Sequence, residues 1–426
     1  MTIMITAEES DYMTSFVKDV IEKFGPRMPC SQAEADAAEY IKQEMETTCN
    51  EISIEPFTCS PGGLLGWIKF DIMFIVASFI LYLFTPFITR EMVIQTIFYA
   101  ICACLGIVSW VIAWEEFFSY NEFIDGLLKK EPSENVIGRI LPEGGNVEHI
   151  IAFSGHHDSA KEFNLLRYLR APGYGIVIFA GVGIMALWTF LAILAFIFSL
   201  AGIVQGLIYE TSSCLLVIGI PVLVLLWCFT WWGERANKVP GAVDNLSAVA
   251  VVLAIGRYVK QHPEIVPENT EIRLISFGCE EAGLRGAYRY AARHKEELLA
   301  IDSQNVNMDG IQSAKTVMIY AFEPTTRTAH SPEVTQKIYD AAIGEDLKAF
   351  KFGDRKADRI AGFITGGTDA TALSKAKIKA GSFGSIDFKN YFSHYHTRRD
   401  TPDKIEAGAL ESALRICIKY IENEKK

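Results

Sequence analysis

The chain has 426 residues, half of them apolar, with 51 acidic against 40 basic side chains and a formal net charge of −11. That balance, with no tract of Lys and Arg, argues against a nucleic-acid partner. The length has room for one large domain or two ordinary ones. The nine cysteines, scattered without a regular spacing, do not read as a disulfide framework and suit a reducing compartment.

The opening MTIMITAEESDYM lacks the basic start and apolar stretch of a secretory leader, so the chain is expected to begin in the cytoplasm. Amphipathic helices are predicted over residues 9–24 and 32–48, then a short strand through Ile52, Ile54 and Phe57. Residues 70–88, 92–114, 174–204 and 207–232 are runs of Leu, Ile, Val, Phe, Ala and Trp nearly free of charge. Each is about long enough to cross a hydrocarbon core of roughly 30 Å, and soluble helices rarely run this long without a polar face. Four transmembrane helices are therefore predicted.

Lys69, Arg167, Arg170, Arg235 and Lys238 flank the spans on the side of the remaining chain, whereas the opposite connectors carry only Arg90. By the positive-inside tendency, the soluble part and both termini are expected in the cytoplasm. For segments before, between and after the spans to fold together, each membrane excursion must hold an even number of crossings. The prediction is two hairpins, 64–114 and 172–232, inserted into one discontinuous soluble domain made of 1–63, 115–171 and 233–426.

Between the hairpins, strands are predicted at 135–141 and 149–153. From Val239 onward the order is helix 245–260, strand 271–277, helix 282–298, strands 304–308 and 316–321, helices 333–343 and 368–376, strand 380–387 and helix 403–423. Such alternation predicts an α/β fold with a central sheet covered by helices.

Five segments place His or carboxylate at or just beyond an apolar strand, where open α/β sheets put their ligands. IIAFSGHHDS carries His156 and Asp158 as H-x-D, and a carboxylate two residues on can hold the far nitrogen of a metal-bound imidazole. Asp244 opens a helix, a place that Asp also fills as a plain N-cap. Glu280 and Glu281 follow a strand and a turn at Gly278; adjacent carboxylates at a buried strand end are costly without cations. Asp309 closes a short strand, and His394 and His396 lie in a loop before the last helix. Taken singly, each is a weak signal. Cys279, with no His-paired partner nearby in sequence, reads as a packing residue rather than a nucleophile.

Taken in order, H-x-D, G-x-x-D-N, strand-E-E-x-G, strand-D-G and H-T-x-x-D-T-P resemble metallopeptidase family 28, the co-catalytic dizinc aminopeptidases and glutamate carboxypeptidase-like enzymes. The resemblance begins at FGPRMPCSQAEADAAEYIKQEM and covers nearly all of the chain outside the spans. It implies a dizinc exopeptidase-like fold, with a mixed sheet sandwiched by helices, and two zinc ions per chain. Asp244 would bridge the ions, His156 and Asp309 completing one and Glu281 and His396 the other. Glu280 would be the general base, Asp158 would orient His156, and Tyr395 would help to hold the oxyanion.

The residue types suit that chemistry independently. Two divalent ions about 3.5–4 Å apart lower the pKa of a shared water and polarise a carbonyl, and carboxylates with imidazole and no thiolate favour zinc or a similar ion. The expected reaction is hydrolysis of a peptide or aminoacyl amide bond, with release of an N-terminal residue. The alternatives are N-acyl amino acid hydrolysis or carboxypeptidase action on hydrophobic substrates drawn from the lipid bilayer, and a transporter or scaffold with a degenerate peptidase domain. Two departures bear on specificity. An insertion of two spans separates His156 from Asp244, and Thr368, Asp369 and Ala370 stand where relatives often carry Ser-Asp-His.

Overall fold

The computed structural model describes residues 5–203, 206–362, 366–387 and 390–425. Met1–Met4, Val204 at the end of the third predicted span and Phe363–Thr365 ahead of Thr368 lie outside them. The chain divides into two compact units: Met1–Pro61 with Lys129–Glu162 and Trp232–Lys426, and Gly62–Leu128 with Phe163–Trp231. These bounds move 115–128 and 163–171 out of the expected soluble domain and into the helical unit. The physical reason is continuity of helix. The segment starting at Met92 runs on through a π-helical turn, Trp114–Phe118, and the one starting at Asn164 reaches Leu200, broken only at Arg170 (φ 58°) ahead of Pro172.

In the first unit, helix α1 (Ala7–Phe24) starts with a capping box: Glu9 N donates to Thr6 Oγ1 while the Glu9 carboxylate accepts from Thr6 N. Helix α2 (Gln32–Glu46) is capped by Ser31. Strands β1 (Glu51–Cys59), β2 (Glu131–Ile140) and β3 (His149–His156) follow. Then come α3 (Ser247–Gln261), β4 (Thr270–Phe277), α4 (Arg285–Ala300), β5 (Asp302–Ile311) and β6 (Thr316–Tyr320). The unit ends with α5 (Pro332–Gly344), β7 (Lys348–Phe352), α6 (Ala370–Lys375), β8 (Lys379–Ser385) and α7 (Ala409–Glu424).

The eight strands form one mixed sheet in the order β1-β2-β4-β3-β5-β8-β6-β7. Within it β4, β3, β5 and β8 run parallel. This is the mixed, helix-covered sheet predicted from the sequence. Ile151 and Phe153 of β3 join α1, α3 and α7 in one core, while Ile150 and Ala152 face the other way, toward α4 and α6, as the two-residue period of a strand requires. The approach of α3 to β3 is close: a Cβ on Gly155 would lie 2.8 Å from Ala248 Cβ and 3.4 Å from its carbonyl carbon. Gly155→Val is expected to cost about 1–3 kcal/mol through overpacking, read as a lowered denaturation midpoint.

Some elements differ from expectation. Strand β7 and a short helix, Lys356–Ala361, were not predicted; in β7 the lysines at 348 and 351 fall on opposite faces of a five-residue edge strand and break its apolar alternation. The last helix begins at Ala409 rather than 403: Pro402–Lys404 is a 3₁₀ turn, and Gly408 at φ 84° resets the chain.

Five helices are long and apolar enough to cross a membrane by length and composition. Four, Gly63–Ile88, Met92–Phe118, Asn164–Leu200 and Gly206–Trp227, belong to the helical unit. In the fifth, Ala242–Gln261, 94% of the apolar stretch is buried, because it is a core helix of the first unit. Within the helical unit, Phe79 stacks on Trp188 with ring centroids 3.8 Å apart. Trp188 Nε1 donates to Ser78 Oγ over 2.9 Å, and Gly106 lies against Thr189, where an added Cβ would come within 2.8 Å of Oγ1. Small residues and hydroxyl bonds of this kind let helices associate where apolar burial gives little drive.

Candidate metal centre

The parallel strands deliver side chains to one edge of the sheet. His156 is the last residue of β3, Glu280 and Glu281 lie just past the end of β4 at Phe277, and Asp309 is near the end of β5. Asp244 comes from the π-helical turn Ala242–Leu246 before α3, with a cis peptide to Asn245. His396, at φ 47°, comes from the loop before α7.

These residues form two adjoining triads, His156 with Glu280 and Asp309, and Asp244 with Glu281 and His396, each with donor atoms within 4.8 Å of one another. Asp244 links them: its Oδ1 is 3.2 Å from His156 Nε2 and its Oδ2 is 3.1 Å from His396 Nε2. Glu281 Oε1 lies 3.1 Å from the same His396 nitrogen, and Glu280 Oε2 lies 3.8 Å from His156 Nε2. The neighbouring His157 is turned away, its Nδ1 on Ser276 Oγ at 2.9 Å. The Tyr395 ring stacks on His396 at 3.8 Å.

A surrounding shell fixes the donors. Asp158 lies 3.3 Å from His156 Nδ1 and accepts from the backbone N–H groups of both Glu280 and Glu281, at 3.1 and 3.0 Å. The one carboxylate therefore ties the ends of β3 and β4. Asp400, in the H-T-x-x-D-T-P motif but given no role from sequence, accepts from Val243 N and Asp244 N at 2.9 and 3.1 Å. Asn245 bridges to Met308 O and Gly310 N on either side of Asp309.

Arg27, fully buried, donates to the carbonyls of Gly25, His157 and Gly241. Burial pulls its pKa down to about 10, against the pull of Asp158, Asp400 and Glu34. No local pattern singles out this arginine; only the tertiary fold brings residue 27 beside 157 and 241. Arg27→Met removes the positive charge and the three donors together, and is expected to cost about 3–5 kcal/mol, measured as a shift in the unfolding midpoint.

The electrostatics are those of a buried excess of negative charge. Burial disfavours a charged His156, yet Glu280, Asp158 and Asp244 outweigh it and hold the imidazole well above its usual range. Burial likewise opposes the charge on His396, but Glu281 and Asp244 push it up to about 10. Burial, with neighbouring carboxylates, raises Glu280, Glu281 and Asp309. Asp369 is buried with neither oxygen hydrogen-bonded among the described residues, and burial, with Asp158, Glu323 and Glu281 nearby, pushes it to about 8. Sequence reading missed its place here, because its segment differs from the Ser-Asp-His of relatives. His156 Nε2 and Glu281 Oε1 are also buried without a hydrogen bond, although opposite charges lie 3.1–3.2 Å away. Carboxylate and imidazole atoms that face one another without bonding fit divalent cations held between them.

Fold and side chains define a mixed α/β protein with a candidate site for divalent cations at the carboxyl edge of its sheet. Residues 230–421, somewhat under half of the chain, match the model of peptidase family M28. The matched segment contains every donor except His156, which the fold brings in from β3. Aminopeptidase YwaD of Bacillus subtilis is 30% identical over 180 residues, spanning 41% of this chain and about a third (35%) of the relative. Among solved structures, BSAP, a zinc aminopeptidase from Bacillus subtilis, superposes with a TM-score of 0.52 at 15% identity, covering 97% of this chain and 94% of that one. Fimbriiglobus ruber glutaminyl cyclase does so with a TM-score of 0.54 at 12% identity, covering 99% and 97%. At these identities the superpositions define the fold.

Proposed function

We propose that the chain is a membrane-embedded, zinc-dependent exopeptidase, an aminopeptidase acting on peptide or aminoacyl substrates. The observation that carries this reading is Asp244, whose two carboxylate oxygens each face the imidazole of a different triad. Its carboxylate would be shared by two zinc ions, with His156 and Asp309 completing one site and Glu281 and His396 the other. Such a pair supplies Lewis acidity toward a carbonyl and makes water a nucleophile near neutral pH.

The chain's own groups do the rest. Glu280, raised by burial, takes the proton of the attacking water and passes it to the leaving amine, a role that needs a base poised near the working pH. Asp158 holds His156 and, through two N–H groups, the turn that carries Glu280. Tyr395 packs on His396 and is assigned a hydrogen bond to the oxyanion. The four long helices of the helical unit would lie in the bilayer, with the peptidase unit and both termini on the cytoplasmic side, as the flanking Lys and Arg indicate.

The test is metal analysis of the purified full-length protein, together with a panel of aminoacyl anilides, N-acyl amino acids and C-terminally free peptides. Two zinc ions per chain and turnover confined to substrates with a free N-terminus are expected. Turnover of the N-acyl compounds alone would replace the aminopeptidase reading with an amidohydrolase, and metal-independent turnover would end both.

A further inference from the structure

Outside the carboxylate site, three cysteines far apart in sequence meet in the peptidase unit. Cys30 lies between α1 and α2, Cys59 ends β1, and Cys279 follows β4. Their sulfurs lie within 4.8 Å of one another, with Cys30 Sγ 3.5 Å from Cys59 Sγ and 3.4 Å from Cys279 Sγ. All three are free thiols, Cys59 and Cys279 buried and Cys30 half-buried. The sequence, in which no spacing links positions 30, 59 and 279, gives no sign of this cluster.

Two further observations point to a ligand. Cys30 and Cys279 both sit in the left-handed region, at φ 61° and 53°, a conformation that Gly or Asn adopts more readily and that tends to persist in side chains where the surroundings require it. Beside them, Glu34 is 1% exposed and its carboxylate spans two of the cysteines, accepting from Cys30 N at 2.6 Å and Cys279 N at 2.9 Å. Its Oε2 lies 3.9 Å from Cys279 Sγ. Those two bonds fix the backbone of Cys30 and Cys279, as the outer partners of metal ligands do.

We infer that Cys30, Cys59 and Cys279 form a second, structural zinc site, separate from the carboxylate–imidazole centre, with Glu34 bracing the backbone of two of the three ligands. Thiolates sharing a tetrahedral zinc at about 2.3 Å stand about 3.8 Å apart, within a few tenths of an ångström of the separations seen. A disulfide would join two of the sulfurs at about 2.05 Å and leave the third outside the bond. Three thiolates would instead share one ion, with water in the fourth position of a tetrahedral zinc. Binding would release the thiol protons to solvent, with no change in oxidation state. The ion would join the loop between α1 and α2, the end of β1 and the turn after β4, directly beneath the backbone that carries Glu280 and Glu281.

The test uses full-length protein in detergent, stripped and reloaded with cadmium, whose thiolate complexes absorb in the ultraviolet whereas its carboxylate and imidazole complexes do not. Wild type is expected to develop the thiolate band with one equivalent bound at the sulfurs. Asp244→Asn should keep the band, because it alters only the other centre. Cys59→Ser should lose it along with one equivalent of zinc per chain, and Cys30→Ser, at the half-buried position, gives the same reading if Cys59→Ser does not fold. The inference is overturned if wild type shows no band, if the band survives in the folded serine variants, or if peptide mapping under non-reducing conditions finds two of the three cysteines joined.

Discussion

Glu280→Gln is expected to leave zinc content unchanged while lowering turnover by roughly 10²–10⁴-fold, the usual worth of a positioned general base. The substitution keeps the shape and removes only the ability to take a proton. Glu280 belongs to the first triad but lies 3.8 Å from His156 Nε2, farther than Asp244 at 3.2 Å, so Asp244 with His156 and Asp309 is expected to hold that ion without it. Its backbone N–H remains on Asp158 whatever the side chain is, so the turn should hold. Metal analysis and kcat measured on the same preparation separate the two effects. Retained turnover would remove Glu280 as base, and lost zinc would make it a ligand instead.

A second large effect concerns pH and metal together. In metal-stripped protein, His396 has a folded-state pKa of about 10 against an ordinary 6.5, held up by Glu281 and Asp244 despite burial. A group raised in this way stabilises the fold fully below about pH 6.5 and loses that contribution as pH rises through about 10. The raised carboxyls of Glu280, Glu281 and Asp309 act in the same direction, because the folded state again binds more protons than the unfolded one. Stability of the stripped protein should therefore fall by a few kcal/mol between pH 6.5 and 10. Zinc replaces those protons as the compensating charge, so the loaded protein should show a much flatter profile and a higher midpoint. Unfolding midpoints at several pH values, with and without chelator, check this. Parallel profiles would mean that these donors do not bind the metal.

The candidate donors were legible in the sequence because their signals are local. His156, Asp244, Glu280, Glu281, Asp309 and His396 each sit beside a strand end or helix start that short-range patterning reveals. Strand β3 is apolar on both faces over Ile150–Phe153, as central parallel strands are, and β4 and β5 keep short apolar stretches, so their carboxyl ends could be located within a few residues. The supporting groups were less legible. Asp400 lay inside a quoted motif without a role, and Arg27, Asn245 and Asp369 act through partners that no spacing connects to them.

The sequence by itself determined the alternation of strands and helices, the long apolar helices and the kinds of donor available, because each depends on neighbours within a few residues. Only the tertiary structure decided that residues 115–128 and 163–171 pack with the helical unit, that the apolar helix 242–261 is a core element, and that Cys30, Cys59 and Cys279 meet. Those outcomes rest on contacts between segments up to 249 residues apart, and one-dimensional periodicity carries no information about which distant surfaces will bury one another.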